Sequence, residues 1–343
     1  MTRTRTRIGL IANPAAGRDI RRLTGGASVV DNYAKRRVAE CVLEGVTVAT
    51  DRAEVLVMPD GAGIARHAID EAPDGIDASE GEVTIEHSAA DTRRTAAEFR
   101  EAVDAAVVLG GDGTTRDVAL EIGDVPVVAV STGTNNVVPT PVDGTLAGVA
   151  AGLLASGAVS PDEVTARHGM VDAVAETPAG DRDLTALASL EVSSRSFVGT
   201  RALLDPQDLR GGVVSRAHPR DVGLAAIAGA IEPVEPDGSG GVAVRLSAPD
   251  DAPRTVRAVL APGVAATVGV ESVDRLEWGE SARFEVPDGV IGADGERELE
   301  LTNATVDLTP VRDGPRLVDV DATLEAGSRA GALASVRAPI EER

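Results

Sequence analysis

The chain has 343 residues, 43% of them apolar, enough for about two globular domains with a real core. Its net charge of −22 and its few aromatics (Trp278, Tyr33 and three Phe) exclude a nucleic-acid binder that depends on a basic face or on base-stacking platforms. Of the 33 basic residues only Lys35 is a lysine, against 55 acids; this is the pattern of a protein from a salt-loving organism, whose acidic surface is screened at molar salt, where the Debye length is only ~3 Å.

The first half alternates strand-like and helix-like segments, as a parallel α/β sheet does. Ile8–Ala12 reads as a short apolar strand ending in the turn Asn13-Pro14-Ala15-Ala16-Gly17. Strands follow at Glu54–Met58 and, more weakly, Val83–His87. Thr92–Val103 reads as a helix and Ala105–Leu109 as a buried strand running into Gly110-Gly111-Asp112-Gly113-Thr114. A short helix, Thr115–Ile122, and a strand, Val125–Ser131, lead to a second polar turn, Thr132-Gly133-Thr134-Asn135-Asn136. Asp143 is placed to cap a helix whose inner face is Leu146, Val149, Ala150, Leu153 and Leu154. In open parallel sheets ligands bind beyond the carboxyl ends of the strands, where both glycine turns lie.

From about residue 160 the texture changes. Short strand-like pieces separated by Gly, Pro and Asp occur at Met170–Ala175, Leu184–Val192, Val242–Leu246, Val256–Leu260, Ala282–Val286, Leu299–Leu301, Thr305–Leu308 and Leu317–Val320. Their spacing predicts a mostly antiparallel β domain. It is interrupted by a helix at Val222–Ile231 and a surface loop at Glu232–Gly241, and followed by an Ala-rich helix at Thr323–Val336. The expected division is an α/β nucleotide-binding domain over 1–158, a β-rich substrate domain over 159–322 and a C-terminal helix and tail over 323–343.

The only cysteine is Cys41, so no intrachain disulfide is possible. The apolar piece after the basic N-terminus stops at Asn13-Pro14, too short for a signal-peptide core, and no apolar run approaches the ~18 residues of a membrane span. A cytoplasmic protein with no membrane partner is expected, and a homo-oligomer.

Several chemistries are excluded by inspection. A Walker loop needs Gly-Lys-Ser/Thr, and the one lysine follows Ala34. The dinucleotide pattern G-x-G-x-x-G fails at Arg116 when started from Gly111. There is no His-Glu-x-x-His, the four histidines are scattered, and no G-x-S-x-G elbow occurs. What remains is one carboxylate delivered by a buried strand beside a glycine turn, an arrangement suited to a kinase acting on a small-molecule hydroxyl.

Three motifs together resemble those of the superfamily that joins NAD kinases with diacylglycerol and sphingosine kinases: Gly110-Gly111-Asp112-Gly113-Thr114, Thr132-Gly133-Thr134-Asn135-Asn136, and Asp294-Gly295-Glu296. With Ala27–Asn32, Phe197–Ala202 and Asp221–Ile227 added, the whole chain is similar to the ATP-NAD kinase-like family of the acetoin-catabolism protein X type. The resemblance implies an N-terminal α/β domain, a C-terminal β-sandwich, and nucleotide bound in the crevice between them. It also implies phosphoryl transfer from ATP with Mg²⁺ to the 2′-hydroxyl of NAD, giving NADP. One departure is Asn135-Asn136, where NAD kinases place Asn followed by an acid. Other acceptors, a nucleoside or a lipid, and a non-catalytic nucleotide-binding accessory role stay open beside this reading.

Roles follow from residue chemistry within that frame. Gly110, Gly111 and Gly113 let backbone N–H groups approach phosphate, or simply turn the chain. Asp112 takes the acceptor proton as phosphoryl transfer proceeds, or caps its own turn. Thr114, Thr132, Gly133 and Thr134 border the phosphates or cap the following helices. Asn135 and Asn136 read a ribose or adenine edge, or occupy turn positions. Arg116 neutralises phosphate, or is a solvated helix residue. Asn13 ends the first strand on the ligand side. Asp294 is expected to hold Mg²⁺ and Glu296 to assist proton transfer, the alternative being a β-turn with an exposed Glu.

Overall fold

The computed structural model describes residues 5–16, 30–133, 136–194, 207–261 and 263–334. Five consecutive parallel strands build the first half: β1 (Arg7–Ala12), β2 (Ala53–Val57), β3 (Ile76–Glu80), β4 (Ala105–Gly110) and β5 (Val127–Ser131). Helices α1 (Asn32–Ala49), α2 (Ile64–Asp70), α3 (Ala89–Ala102), α4 (Asp112–Ala119) and α5 (Gly144–Ala155) connect them or follow them. β4 is buried along its whole length, which is why it reads as an uninterrupted apolar run. The core on one face packs α1, α2 and α5 against the sheet, and that on the other packs Phe99 of α3 and Val118 of α4.

The second half is all antiparallel in its main sheet. After the short α6 (Pro161–Val164) and β6 (Thr165–Arg167) come β7 (Met170–Glu176), β8 (Arg182–Ala186), β9 (Ser189–Ser193), β10 (Leu209–Val214), α7 (Gly223–Gly229), β11 (Gly240–Ser247), β12 (Arg254–Ala261), β13 (Val264–Glu277), β14 (Ala282–Ala293) and β15 (Glu296–Val311). The nine strands run in the order β12-β13-β11-β10-β9-β14-β15-β7-β8. One core layer draws on β7 to β11 and β13 to β15 together, so the sheet folds over on itself as a sandwich does. A second apolar layer, on the other face of β10 to β13, is covered by α7.

The chain then returns. β16 (Arg316–Val318) pairs parallel with β5 and antiparallel with β6, giving the first sheet the order β3-β2-β1-β4-β5-β16-β6. α8 (Val320–Arg329), capped by Asp319, packs on α5. The expected strand at Leu317–Val320 is therefore a member of the first sheet. The two halves meet across Ala119, Val138, Met170, Leu187 and Ala188.

Several expectations shift. Val83–His87 is not a strand: the N–H groups of Glu82 and Glu86 donate to the Glu98 and Asp91 carboxylates of α3, and the third strand is the polar edge Ile76–Glu80. The helix expected from Thr92 begins at Ala89, because Ser88 and Asp91 form a capping box. The helix expected at Thr115–Ile122 begins at Asp112. Leu146 is exposed although it shares its helical face with buried Val149, Ala150 and Leu153. Leu184–Val192 divides into β8 and β9. Of Thr323–Val336, the helix covers residues up to Arg329, and 335–336 lie outside the described residues.

Helices α1 and α5 approach at glycine. A Cβ on Gly148 would overlap the Val42 carbonyl oxygen, and one on Gly45 the Thr145 carbonyl oxygen. Backbone-to-backbone contact of this kind leaves α1 no lateral play, and α1 carries Lys35 at its first turn.

Candidate functional site

Three turns leave the carboxyl ends of adjacent strands β1, β4 and β5 and are bonded to one another. Asn13 donates its N–H to the Leu109 carbonyl at 3.4 Å, and Thr132 donates its N–H to the Gly110 carbonyl at 3.0 Å. The Asn13 Nδ2 donates to Thr114 Oγ1 at 3.0 Å, and its Oδ1 accepts from the Ala15 N–H at 2.9 Å. Asn136 Nδ2 donates to Ser131 Oγ at 2.7 Å, while its Oδ1 accepts from the Asp112 N–H at 3.3 Å. Gly110 and Gly111 are glycine because a Cβ would come within 2.5 Å of the Thr114 Cβ and 2.8 Å of Asn136 Oδ1 respectively. At Gly113 a Cβ would meet nothing within 4 Å among the described residues, so no neighbour requires glycine there.

Asp112 is the first residue of α4 and is buried. Its Oδ2 accepts from the Val137 N–H at 2.8 Å and its Oδ1 from the Val138 N–H at 2.9 Å. The carboxylate thereby ties the turn after β5 to the start of α4. Thr114 is buried against Asn13. Thr132 is buried, and its Oγ1 has no bond among the described residues. Thr134 and Asn135 lie outside the described residues.

Arg116 does not face the glycine turns. Its Nη2 donates to Glu298 Oε1 at 2.9 Å, and its Nη1 lies 3.9 Å from Asp294 Oδ2. It therefore joins α4 of the first half to the β14–β15 hairpin of the second. Burial works against its charge, but Asp294 and Glu298 outweigh that and raise the pKa of the guanidinium above its usual value. Neighbouring Asp117 accepts from Arg93 Nε at 2.8 Å; burial nevertheless pushes its carboxyl up.

Asp294 and Gly295 form the two-residue turn of the hairpin, both with positive φ (54° and 79°), and Ala293 pairs with Glu296 across it. The turn was expected, but its side chain points inward. The Asp294 carboxylate, 2% exposed, accepts from the N–H groups of Leu187 (2.9 Å), Ala188 (2.7 Å) and Ser189 (3.2 Å). Three amide donors and a guanidinium are the surroundings of a structural anion, not of a cation ligand. Among the described residues no three His, Cys, Asp or Glu side chains converge as a metal cluster. Glu296 stands at the start of β15, half-buried.

Two functional candidates carry no local sequence motif. Glu298 is 182 residues from its partner Arg116, and no local pattern marks it. Lys35 entered only as the reason to exclude lysine-dependent loops, yet its Nζ lies under the Asn13 turn. Its being the one lysine was the available signal.

The family model of the ATP-NAD kinase N-terminal domain matches residues 8–157, and that of the acetoin catabolism protein X C-terminal domain matches residues 171–313. Among solved structures, the yeast NADH kinase complexed with NADH aligns with a TM-score of 0.48 and 13% identity over 99% of this chain and 91% of that one. A diacylglycerol kinase from Bacillus anthracis str. Sterne aligns with a TM-score of 0.38 and 13% identity over 91% and 96%. Acetoin catabolism protein X of Cupriavidus necator is 36% identical over 348 aligned positions, which span 97% of this chain and 95% of that protein. An NAD kinase-type first half, continued by the second domain particular to this group and matched end to end by that relative, means that the chain belongs to the acetoin catabolism protein X family.

Proposed function

We propose that this protein transfers the γ-phosphoryl group of ATP to an alcohol of a small-molecule acceptor, the 2′-hydroxyl of NAD, to give NADP and ADP. The observation that supports the reading is the cross-bonded set of Asn13, Gly110–Thr114 and Asn136 at the carboxyl ends of three adjacent parallel strands. It lies in a segment matched by the ATP-NAD kinase domain model.

Phosphoryl transfer asks the protein mainly to position the reactants and to stabilise charge. The N-terminus of α4, where no described neighbour crowds Gly113, offers backbone N–H groups and the positive end of a helix to the donor phosphates. Asp112, held by the Val137 and Val138 amides, directs a fixed carboxylate at the acceptor hydroxyl and takes its proton. Arg116 is committed to Glu298 and Asp294, so it serves as the tie between the halves and not as a phosphate ligand. The described residues do not fit a protein-held Mg²⁺, given the amide and guanidinium partners of Asp294. Mg²⁺ enters as the ion that accompanies ATP.

A second reading, a nucleotide-binding accessory protein without catalysis, is favoured by the same two amide bonds, which give Asp112 a structural purpose of its own. The test is an assay in molar KCl with ATP and Mg²⁺ across NAD, NADH, nucleosides and lipids. NADP formation is expected, with kcat lowered on the order of 100-fold or more in Asp112→Asn while ATP binding persists. ATP binding with no phosphorylated product from any acceptor would establish the second reading.

A further inference from the structure

Lys35 is the only lysine in the chain and is 1% exposed. It sits in the first turn of α1, whose Asp31 cap accepts from the Ala34 N–H at 2.8 Å. Its Nζ donates to the carbonyl oxygens of Ala16 at 2.6 Å, Asn13 at 2.9 Å and Pro14 at 3.4 Å. Three carbonyls drawn from four consecutive residues thus turn inward onto one ammonium. The far side of the same turn is fixed by Asn13 Nδ2 on Thr114 Oγ1. Lys35 therefore stands one bond from the turn after β1, and that turn stands one bond from the glycine turn after β4.

The choice of cation is informative. An ammonium is a compact charge with three tetrahedrally disposed donors, whereas a guanidinium is a flat fork suited to carboxylates and phosphates. At every other basic position this chain uses arginine. Here three converging carbonyls suit a point-like donor. The base of Lys35 is also rigid, since α1 is packed backbone to backbone on α5 at Gly45 and Gly148.

We propose that Lys35 is a positioning residue for the phosphate donor. From behind the Asn13–Ala16 turn its ammonium holds the backbone in the form that meets Thr114. It also places a buried positive charge behind the surface that receives the triphosphate. The assignment rests on the kinase reading above, and it adds a residue from a helix that carries none of the glycine motifs.

The experiment uses the full chain in molar KCl, as wild type, Lys35→Met and Lys35→Arg. Hydrogen exchange over Asn13–Ala16 is measured by mass spectrometry, and affinities for ATP and for adenosine by calorimetry. Both variants are expected to keep the far-UV spectrum and the exchange protection of β4. They are expected to exchange at least tenfold faster over Asn13–Ala16 and to bind ATP at least tenfold more weakly, with adenosine affinity changed less than twofold. Exchange and ATP affinity within twofold of wild type would overturn the assignment. So would full restoration by Lys35→Arg, which would leave charge alone as the requirement.

Should Lys35→Met not fold, the wild type supplies the answer. Hydrogen exchange over Asn13–Ala16 of the wild-type chain, read by mass spectrometry, is expected to slow at least tenfold with ATP and not with adenosine; equal rates overturn the proposal. A wild-type chain that binds ATP and transfers nothing refutes the reaction and leaves the Lys35 measurement intact. One that binds no ATP refutes both.

Discussion

Replacing Asp294 tests whether the hairpin turn is held by its buried carboxylate. In Asp294→Ala the N–H groups of Leu187, Ala188 and Ser189 lose their acceptor at positions closed to water. An unsatisfied buried donor costs about 1–3 kcal/mol, so the three together cost about 3–9 kcal/mol. Alanine at a φ of 54° adds roughly 1 kcal/mol. The sum, at least about 4 kcal/mol, is a large part of the about 5–15 kcal/mol that a native protein commands. Asp294→Asn keeps the left-handed turn and the Oδ1 acceptor for Ala188 and Ser189. It loses the Leu187 bond and the charge facing Arg116, a cost of about 1–3 kcal/mol. Asp294→Gly relieves the backbone but not the amides, so it falls near the alanine variant. The assay is urea denaturation at fixed salt, followed by far-UV circular dichroism and by Trp278. That is the only tryptophan; its Nε1–H donates to the Gly238 carbonyl at 3.0 Å and its ring lies against Gly169 at the junction of the halves. The expected order of stability is wild type, Asn, Gly, Ala. A midpoint for Asp294→Ala equivalent to wild type within about 0.5 kcal/mol would refute the argument. An asparagine variant as damaged as the alanine one would show that the Arg116 charge, not the amides, holds the turn.

Burial holds the His168 pKa at about 4, against an ordinary 6.5. Between those values the unfolded chain binds a proton that the native chain does not, so stability falls as pH drops through that window, by about 3 kcal/mol in full; urea midpoints at pH 7 and pH 4.5 should differ less in His168→Asn than in wild type. Gly148→Ala drives a methyl group into the Val42 carbonyl and should lower the melting temperature by the equivalent of about 1–3 kcal/mol, whereas Leu146→Ala, on an exposed position, should change it little. Activity should rise from dilute buffer toward molar KCl, because both nucleotides are anions facing a chain of net charge −22; a steady fall in rate over that range would contradict the salt-adapted reading.

How much of this was legible in the sequence depended on where each signal resides. β4 and all but the first residue of β1 are buried, and β5 is largely so, so continuous apolar runs and the polar turns after them marked both the strands and the ligand side. α1 left no expectation, for its apolar positions are broken by Arg36, Arg37, Glu40 and Glu44 and by Gly45, which is a packing contact and not a break. The fourteen-residue β13 was missed because its outer stretches are largely exposed and carry Glu, Asp and Arg. Asp294-Gly295 was readable as a turn, but the direction of its carboxylate was not, since the amides it satisfies lie more than a hundred residues earlier. Arg116 illustrates the same limit. Its place beside the glycine turn suggested phosphate, and its partners, contributed by the β14–β15 hairpin, are visible only in three dimensions.

The late return of β16 and α8 to the first sheet governs the order in which this protein can be made. Val318, Val320, Ala322, Leu324 and Ala326 cover the apolar face built by α1, α5 and the strands beneath them. On the ribosome the first-half residues of that face are complete in sequence by Val164, but its last cover waits until about residue 329 has left the exit tunnel. During that interval the whole second domain is synthesised. The nascent first half therefore carries a sticky surface for as long as it takes to translate half the chain. A gene fragment ending near residue 157, the limit of the kinase domain match, would keep that surface indefinitely. Such a fragment should aggregate, and a separately supplied peptide spanning β16 and α8 should restore its solubility.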